Sequence, residues 1–301
     1  MKFSVVTPSY NLDKWLPQTI ESVISQSGDF EIEYIVVDGG SSDKSLSIAE
    51  EYKKKIESGA FPIACRKVSM TCVVEKETGM YEAINRGFAR ATGNIYAWIN
   101  SDDVYEAGAF KAIKEAVERY PDIDWIKGIT STIDENGSVI QDGSAKIYRQ
   151  DWIRDGIYGQ EAYFIEQDSV FWRASLWKSA GPIPAELRSA GDYWLWMSFA
   201  RFSPLWTLKN RTSCFRKREG QISKDVSKYK AEQWTIRPAR SLKALQAKAF
   251  FTVQSRVTAL YPKMESLFIT LYPIFFMTGK HAEYIEMGKE PKRAIARSYK
   301  V

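Results

Sequence analysis

The stretch Ile95-Tyr96-Ala97-Trp98-Ile99-Asn100-Ser101-Asp102-Asp103 decides how the rest of the chain is read. Its first five residues are apolar and mostly aromatic or β-branched, a short run that suits a buried strand. The run stops at two adjacent carboxylates, so the polar chemistry falls at a strand end. The two carboxylates point in different directions. One can face a hard cation while the other receives a ribose hydroxyl or a metal-bound water. Mg2+ and Mn2+ take oxygen ligands and usually keep waters and substrate phosphate oxygens. A second reading is open here, because Ser or Asp ahead of an apolar helix is a common N-cap.

Working outward, residues 2–7 are β-branched and apolar and stop at Pro8, which reads as a buried strand. Trp15, Leu16, Ile20, Val23 and Ile24 recur near helical spacing, with Gly28 as a stop signal. Residues 34–37 read as a second strand and end in the loop Asp38-Gly39-Gly40-Ser41-Ser42-Asp43. Residues 45–56 are patterned as a helix, 71–74 as a strand and 80–89 as a helix. After 95–99, Phe110, Ile113, Val117 and Tyr120 share one helical face. Strands alternating with helices predict an α/β fold with a Rossmann-like, mostly parallel sheet flanked by helices. Ligands of such sheets bind beyond the carboxyl ends of the strands. The polar clusters 8–11, 38–43, 75–79 and 100–103 all fall there. Residues 121–180 read as irregular and aromatic-rich, and 186–202 as a helix after Gly191-Asp192.

Composition narrows the chemistry. Apolar residues make up 45% of the 301, enough for a sizeable core. His281 is the single histidine, which nearly excludes a histidine zinc site and leaves acid–base work mostly to carboxylates. Cys65, Cys72 and Cys214 have no metal-type spacing and read as free thiols of a reducing compartment. The opening residues do not read as a signal peptide. Charge is divided unevenly: residues 1–200 hold 21 Lys+Arg and 30 Asp+Glu, whereas 201–301 hold 21 and 7. An acidic body thus carries a basic tail, which suits an anionic partner.

Several other residues have the right chemistry for a site. The glycines after Asp38 allow close approach of a ligand, and Asp38 suits a base or ribose, although a turn with an N-cap at Ser42 or Asp43 explains the cluster equally well. Arg86, in Glu77-Thr78-Gly79-Met80-Tyr81-Glu82-Ala83-Ile84-Asn85-Arg86-Gly87, is a planar donor suited to a base edge or phosphate. Asp192 stands at the start of an apolar helix, as an N-cap or as a base for an acceptor hydroxyl.

The blocks FSVVTPSYN (3–11), LPQTIESVISQ (16–26), YIVVDGGSSDKS (34–45), VEKETGMYEAINRG (74–87), ATGNIYAWINSDD (91–103) and 167–196 follow one another in a specific order. Together they resemble family 2 glycosyltransferases of the GT-A fold, especially bacterial enzymes that build surface polysaccharide. The resemblance implies that Thr7, Pro8, Ser9 and Tyr10 line the nucleotide pocket, that Asp38 binds the base and that Arg86 helps hold the nucleotide. It implies that Asp102 contacts ribose or sugar, that Asp103 ligates Mg2+ or Mn2+, and that Asp192 is the catalytic base. The implied reaction is inverting transfer from a nucleotide-diphosphate sugar, UDP-linked foremost, to a glycan or lipid-linked acceptor hydroxyl. One departure stands out: relatives carry His in a segment shaped like 215–223, where this chain has Arg218, which is expected to contact the diphosphate instead.

The domain reading is a catalytic domain over 1–225 and a basic helical extension over 226–301, in contact with a membrane or packed on the catalytic domain or on a second subunit. The apolar run 266–277 is too short to span a bilayer but suits the interface plane, where basic residues meet anionic lipid. That places the protein in the cytoplasm, peripheral at the inner face of the cell membrane. Rival readings fare worse. A dinucleotide oxidoreductase needs Gly-x-Gly-x-x-Gly where this chain has Thr7-Pro8-Ser9-Tyr10-Asn11. No nucleic-acid module accompanies the basic tail. A non-catalytic nucleotide-sugar-binding or membrane scaffold is the remaining alternative, against which Asp102, Asp103 and Asp192 speak.

Overall fold

The computed structural model describes residues 1–76, 79–221, 225–238, 240–276 and 282–301. Glu77, Thr78, Ile222, Ser223, Met277 and His281, which figure in the readings above, lie outside the described residues.

The first strands and helices alternate as the patterning requires: β1 (Lys2–Ser9), α1 (Leu16–Ile24), β2 (Gly28–Asp38), α2 (Ser45–Glu57), β3 (Cys65–Val74), α3 (Met80–Arg90) and β4 (Ile95–Trp98). β1 pairs in parallel with β2 on one side and with β4 on the other, and β2 pairs in parallel with β3. Gly28 opens β2 rather than merely ending α1. The helix α3 lies directly on the sheet at Gly87, where an added Cβ would sit 2.5 Å from a methyl of Val6.

Residues 121–180, expected to be irregular, instead supply central strands. After β5 (Val104–Tyr105) and α4 (Ala109–Arg119) come β6 (Trp125–Ile133), β7 (Val139–Gln141), α5 (Gln150–Arg154), β8 (Val170–Arg173) and α6 (Ala174–Ala180). Trp125, Trp172 and Phe171 are buried, so these strands show no in–out alternation to betray them. The helix expected over 186–202 is the shorter α7 (Gly191–Phe199), followed by β9 (Leu205–Arg216).

The sheet runs β3-β2-β1-β4-β8-β6-β9 and continues into two strands from the far end of the chain, β10 (Ala282–Glu286) and β11 (Lys292–Ala296). β8 is antiparallel to both neighbours, and β6, β9 and β10 are again parallel to one another. The sheet is therefore mixed but mostly parallel, with a core on each face. One core joins Phe3, Val5, Ile20, Phe110 and Ile113; the other joins Val6, Trp98, Trp125, Trp172 and Trp196.

The extension is not purely helical. It holds α8 (Val226–Ile236), α9 (Leu242–Leu260) and α10 (Glu265–Phe276), but β10 then pairs with β9 inside the main sheet. Ala244, Ala247, Tyr272 and Phe276 belong to the second core. Packing is thus continuous across the expected boundary at 225. The physical reason is that a helix with one apolar stripe must bury it, and the nearest apolar surface is the body of the same chain.

Candidate active site at the ends of β1 and β4

From β1 the chain winds outward through β2 and β3, then returns to place β4 on the opposite side of β1. The strand order reverses between β1 and β4, and ligands of such sheets bind beyond the strand ends at that point. Ser9 Oγ, Asn100 Oδ1 and Ser101 Oγ lie here, buried and with no hydrogen-bond partner among the described residues. Each such atom costs about 1–3 kcal/mol if left unmade. Three together at these strand ends point to a polar ligand as their partner.

Asp102 and Asp103 follow at once and are almost wholly buried. They are not an N-cap, because α4 begins at Ala109 with Gly108 as its cap. Asp103 Oδ1 accepts the backbone N–H of Arg216 at 2.8 Å, and its Oδ2 accepts from Asn100 at 3.4 Å. Asp102 Oδ2 accepts from Arg218 Nε at 2.6 Å. Burial, and then the charges of Asp102 and Asp168, push the Asp103 carboxyl well above the usual range. Asp168 is itself buried, accepts from Ser213 Oγ at 2.5 Å, and is raised by burial.

These carboxylates suit a hard cation held by one or two protein oxygens and completed by phosphate oxygens and water. Among the described residues, Asp102 Oδ1 carries no hydrogen bond and Asp103 Oδ2 only the long one to Asn100. The mutual repulsion that raises Asp103 is what a cation would relieve. Among the described residues there is no group of three or more His, Cys, Asp or Glu side chains placed to hold a metal by themselves.

The residues expected around the nucleotide divide into two sets. Ser9 and Asp38 stand side by side at the ends of β1 and β2, with Tyr10 63% exposed beyond them. Thr7 and Pro8 are buried within β1, and Thr7 Oγ1 accepts from Tyr34 in the core, so the Thr7 side chain lines no open surface. The Asp38 carboxylate closes its own loop, accepting from the N–H groups of Gly40 and Ser41 at 2.9 and 2.7 Å and from Ser41 Oγ at 2.7 Å. Arg86 stays on the surface of α3, paired with Glu75 and, at 2.9 Å, with Glu82. Arg218 meets Asp102 rather than open solvent, its guanidinium 4.9 Å from the Trp15 ring centre.

Asp192 lies in the first turn of α7, not ahead of it. Tyr229 of α8 donates its O–H to the carboxylate at 3.0 Å from each oxygen, and the Tyr193 N–H donates at 2.8 Å. Burial raises the carboxyl to about 6, against the opposing pull of these donors. The loop before it is held by Glu232 of α8, which accepts from the N–H groups of Arg188, Ser189 and Ala190 at 2.9, 2.7 and 2.5 Å. Tyr81 donates to the Ser189 carbonyl at 2.7 Å. The basic tail thus supplies two side chains that set the position of Asp192.

Sequence reasoning missed Arg216, Asp168, Tyr229 and Glu232. Arg216 is fully buried at the end of β9. Its side chain donates to the carbonyls of Asp102 (2.8 Å), Asp134 and Glu135 (both 3.1 Å) and to Gln18 (2.6 Å), fixing the loop after β4. The one signal was position: Arg216 shares its strand face with buried Cys214 and not with exposed neighbours. Tyr229 and Glu232 had no local signal.

A mostly parallel sheet with carboxylates at its switch point is the architecture of GT-A glycosyltransferases. Solved structures agree on the fold. S. aureus TarS 1–349 in complex with UDP-GlcNAc superposes with a TM-score of 0.57 at 19% identity, covering 91% of this chain and 80% of that one. The mannosyltransferase PcManGT of Pyrobaculum calidifontis, in complex with GDP-Man and Mn2+, gives 0.51 at 15% identity, covering 92% and 82%. The family model Glycosyl transferase family 2 matches residues 4–178, and the chain belongs to that family. An uncharacterized glycosyltransferase of Nostoc sp. is 29% identical over 146 residues, 48% of this chain and 42% of its own length. A PGL/p-HBAD biosynthesis glycosyltransferase of Mycobacterium bovis is 26% identical over 195 residues, 64% of this chain and 66% of its own. The chain therefore spans less than two thirds of the length of these relatives.

Proposed function

We propose that this protein transfers a sugar from a UDP-linked donor to a hydroxyl of a glycan or lipid-linked acceptor, with inversion, in the building of surface polysaccharide. The observation that carries the reading is the coincidence, at one switch point, of three unpaired buried polar atoms with Asp102 and Asp103. Membership of glycosyl transferase family 2, and a UDP-GlcNAc complex among the structures that share the fold, support it.

In this reading residues 7–10 and the Asp38 loop line the nucleoside end, their main chain serving where the Thr7 and Asp38 side chains are already engaged. Arg86 turns from its carboxylate partners toward the nucleotide. Asp103 would hold Mg2+ or Mn2+, Asp102 beside it would contact ribose or sugar, and Arg218 would shift from Asp102 to the diphosphate. When bound, the cation stabilises negative charge on the departing diphosphate. Asp192, ionised above pH of about 6, takes the proton of the acceptor hydroxyl as it attacks the anomeric carbon. One base suffices for a single displacement.

Calorimetry with UDP, GDP and NAD, with and without Mn2+, tests this on wild type and Asp103→Ala. Metal-dependent UDP binding that the substitution abolishes is the expected result. Binding of NAD alone, or of no nucleotide, overturns the reading.

A further inference from the structure

Residue 242 begins a pattern on α9 that the packing of the body does not use. Leu242, Leu245, Ala249, Val253, Arg256 and Leu260 repeat at three- and four-residue intervals and share one helical face. Four of them are large, apolar and exposed: Leu242 71%, Leu245 58%, Val253 53% and Leu260 75%. The opposite face packs inward through Ala244, Ala247 and Phe251, the last against Tyr163 and Tyr299. α10 widens the exposed face with Leu267, Ile274 and Phe275. Its Phe268, Tyr272 and Phe276 are buried, so only one side of α10 is exposed.

Beside this stripe, between α8, α9 and residues 160–162, runs an open groove of about 610 Å³ lined by Glu161, Lys230, Trp234, Lys248, Phe251 and Arg256, in which Lys248 pairs with Glu161 at 3.4 Å. Lys230 and Arg256 have no acidic partner among the described residues. Residues 226–276 carry eight Lys and Arg against two acids, Glu232 and Glu265, and four of the eight, Lys228, Arg237, Lys243 and Lys248, pair with Asp225, Asp155, Asp151 and Glu161 of the preceding chain. Both acids are already engaged, Glu232 by three backbone N–H groups and Glu265 by Lys300.

We infer that the α9 stripe with the exposed side of α10 is a docking face for an anionic lipid bilayer. The apolar side chains enter the acyl boundary while Lys230, Lys248 and Arg256 meet headgroup phosphates. A single-helix seam would suit another helix, but two helices present a broad face here, and broad apolar faces flanked by cations bind interfaces. Charge argues the same way. A second copy would bring one cationic face against another, whereas an anionic surface complements it. No helix among the described residues is long and apolar enough to cross a membrane, so contact would be at the surface. The site gains from this placement, if the transferase reading holds. Tyr229 and Gln233 face Asp192 and the core from one side of α8, while Lys230 and Trp234 face the groove from the other. A lipid-carried acceptor would therefore arrive next to the base.

The test is flotation of the full chain with phosphatidylcholine vesicles, with and without phosphatidylglycerol. Wild type is expected to float with the anionic vesicles, to stay behind with neutral ones, and to be released by high salt. The pairs Leu245→Glu/Val253→Glu and Lys230→Glu/Arg256→Glu should each weaken anionic binding about tenfold or more, with the circular dichroism and thermal midpoint of wild type. Failure of wild type to float, or flotation of both pairs like wild type, overturns the inference. So does a concentration-dependent dimer that Leu245→Glu/Val253→Glu makes monomeric without changing flotation. No sugar nucleotide enters the assay, so its outcome is separate from that of the transferase reading.

Discussion

Two carboxylate sites, at the end of β4 and at the start of α7, are both raised in proton affinity by burial but sit among different neighbours. At β4 three acids, Asp102, Asp103 and Asp168, crowd together behind two arginines from the end of β9 and the residues after it. Burial and mutual repulsion raise Asp103 there, and the charge of a bound cation would relieve that repulsion. At α7, where the nearby Glu232 charge adds a smaller upward push, Asp192 accepts from neutral donors, Tyr229 and a backbone N–H. Its proton affinity is lifted to about 6, the range in which a carboxylate can accept a proton near neutral pH and still be ionised. Burial is the first cause of the upward shift at both places, so what separates them is the company each acid keeps: further acids and arginines at β4, mainly neutral donors at α7.

The contrast breaks most sharply at Asp192. Asp192→Asn should lower the transfer rate about a thousandfold while leaving the UDP dissociation constant within about threefold, as loss of a general base does. Rapid-quench turnover and calorimetry on the same preparation check both halves. If nucleotide binding collapses instead, the two sites are not separate in role. Asp103→Ala should do the reverse. It should weaken Mn2+-dependent nucleotide binding about a hundredfold with little effect on metal-free binding, which titration with and without chelator reads directly.

Arg216→Met sharpens the comparison on the stability side. It leaves the carbonyls of Asp102, Asp134 and Glu135 without their buried donor. A loss of about 3 kcal/mol in urea unfolding is expected, the scale for breaking a buried charged network. A loss under about 1 kcal/mol would mean that water reaches these carbonyls. The smallest effect belongs to Tyr229→Phe. The tyrosine O–H favours ionised Asp192, so its removal raises that carboxyl further above about 6. Activity needs the ionised form and falls as pH drops through this value. The acid limb of kcat/KM should therefore move upward by roughly half a pH unit to one, with the rate at pH 8 nearly unchanged. A profile that does not move would show that Tyr229 does not tune the base.

How much of this was legible follows from where the information resides. The alternation from β1 to β4 was readable because β-branched strands and one-sided helices repeat in sequence, and the polar clusters at the strand ends came with them. β6 and β8 were not readable. Strands buried on both faces lose the period of two, and Trp125 and Trp172 look the same in a strand as in a loop. Asp102, Asp103 and Asp192 could be named from sequence as carboxylates in suggestive places. Their surroundings could not, since Arg216 reaches Asp103 across 113 positions and Tyr229 reaches Asp192 across 37.

By itself, then, the sequence determined the α/β alternation, the reliance on carboxylates in a chain with one histidine, and the acidic body with its basic tail. Those are properties of composition and short-range periodicity. Only the tertiary structure decided that the tail joins the sheet through β10, that α8 holds Asp192, and that α9 leaves an apolar stripe exposed. The physical reason is that proton affinity, burial and exposed face depend on which distant residues come within a few ångströms, and chain order does not record that distance.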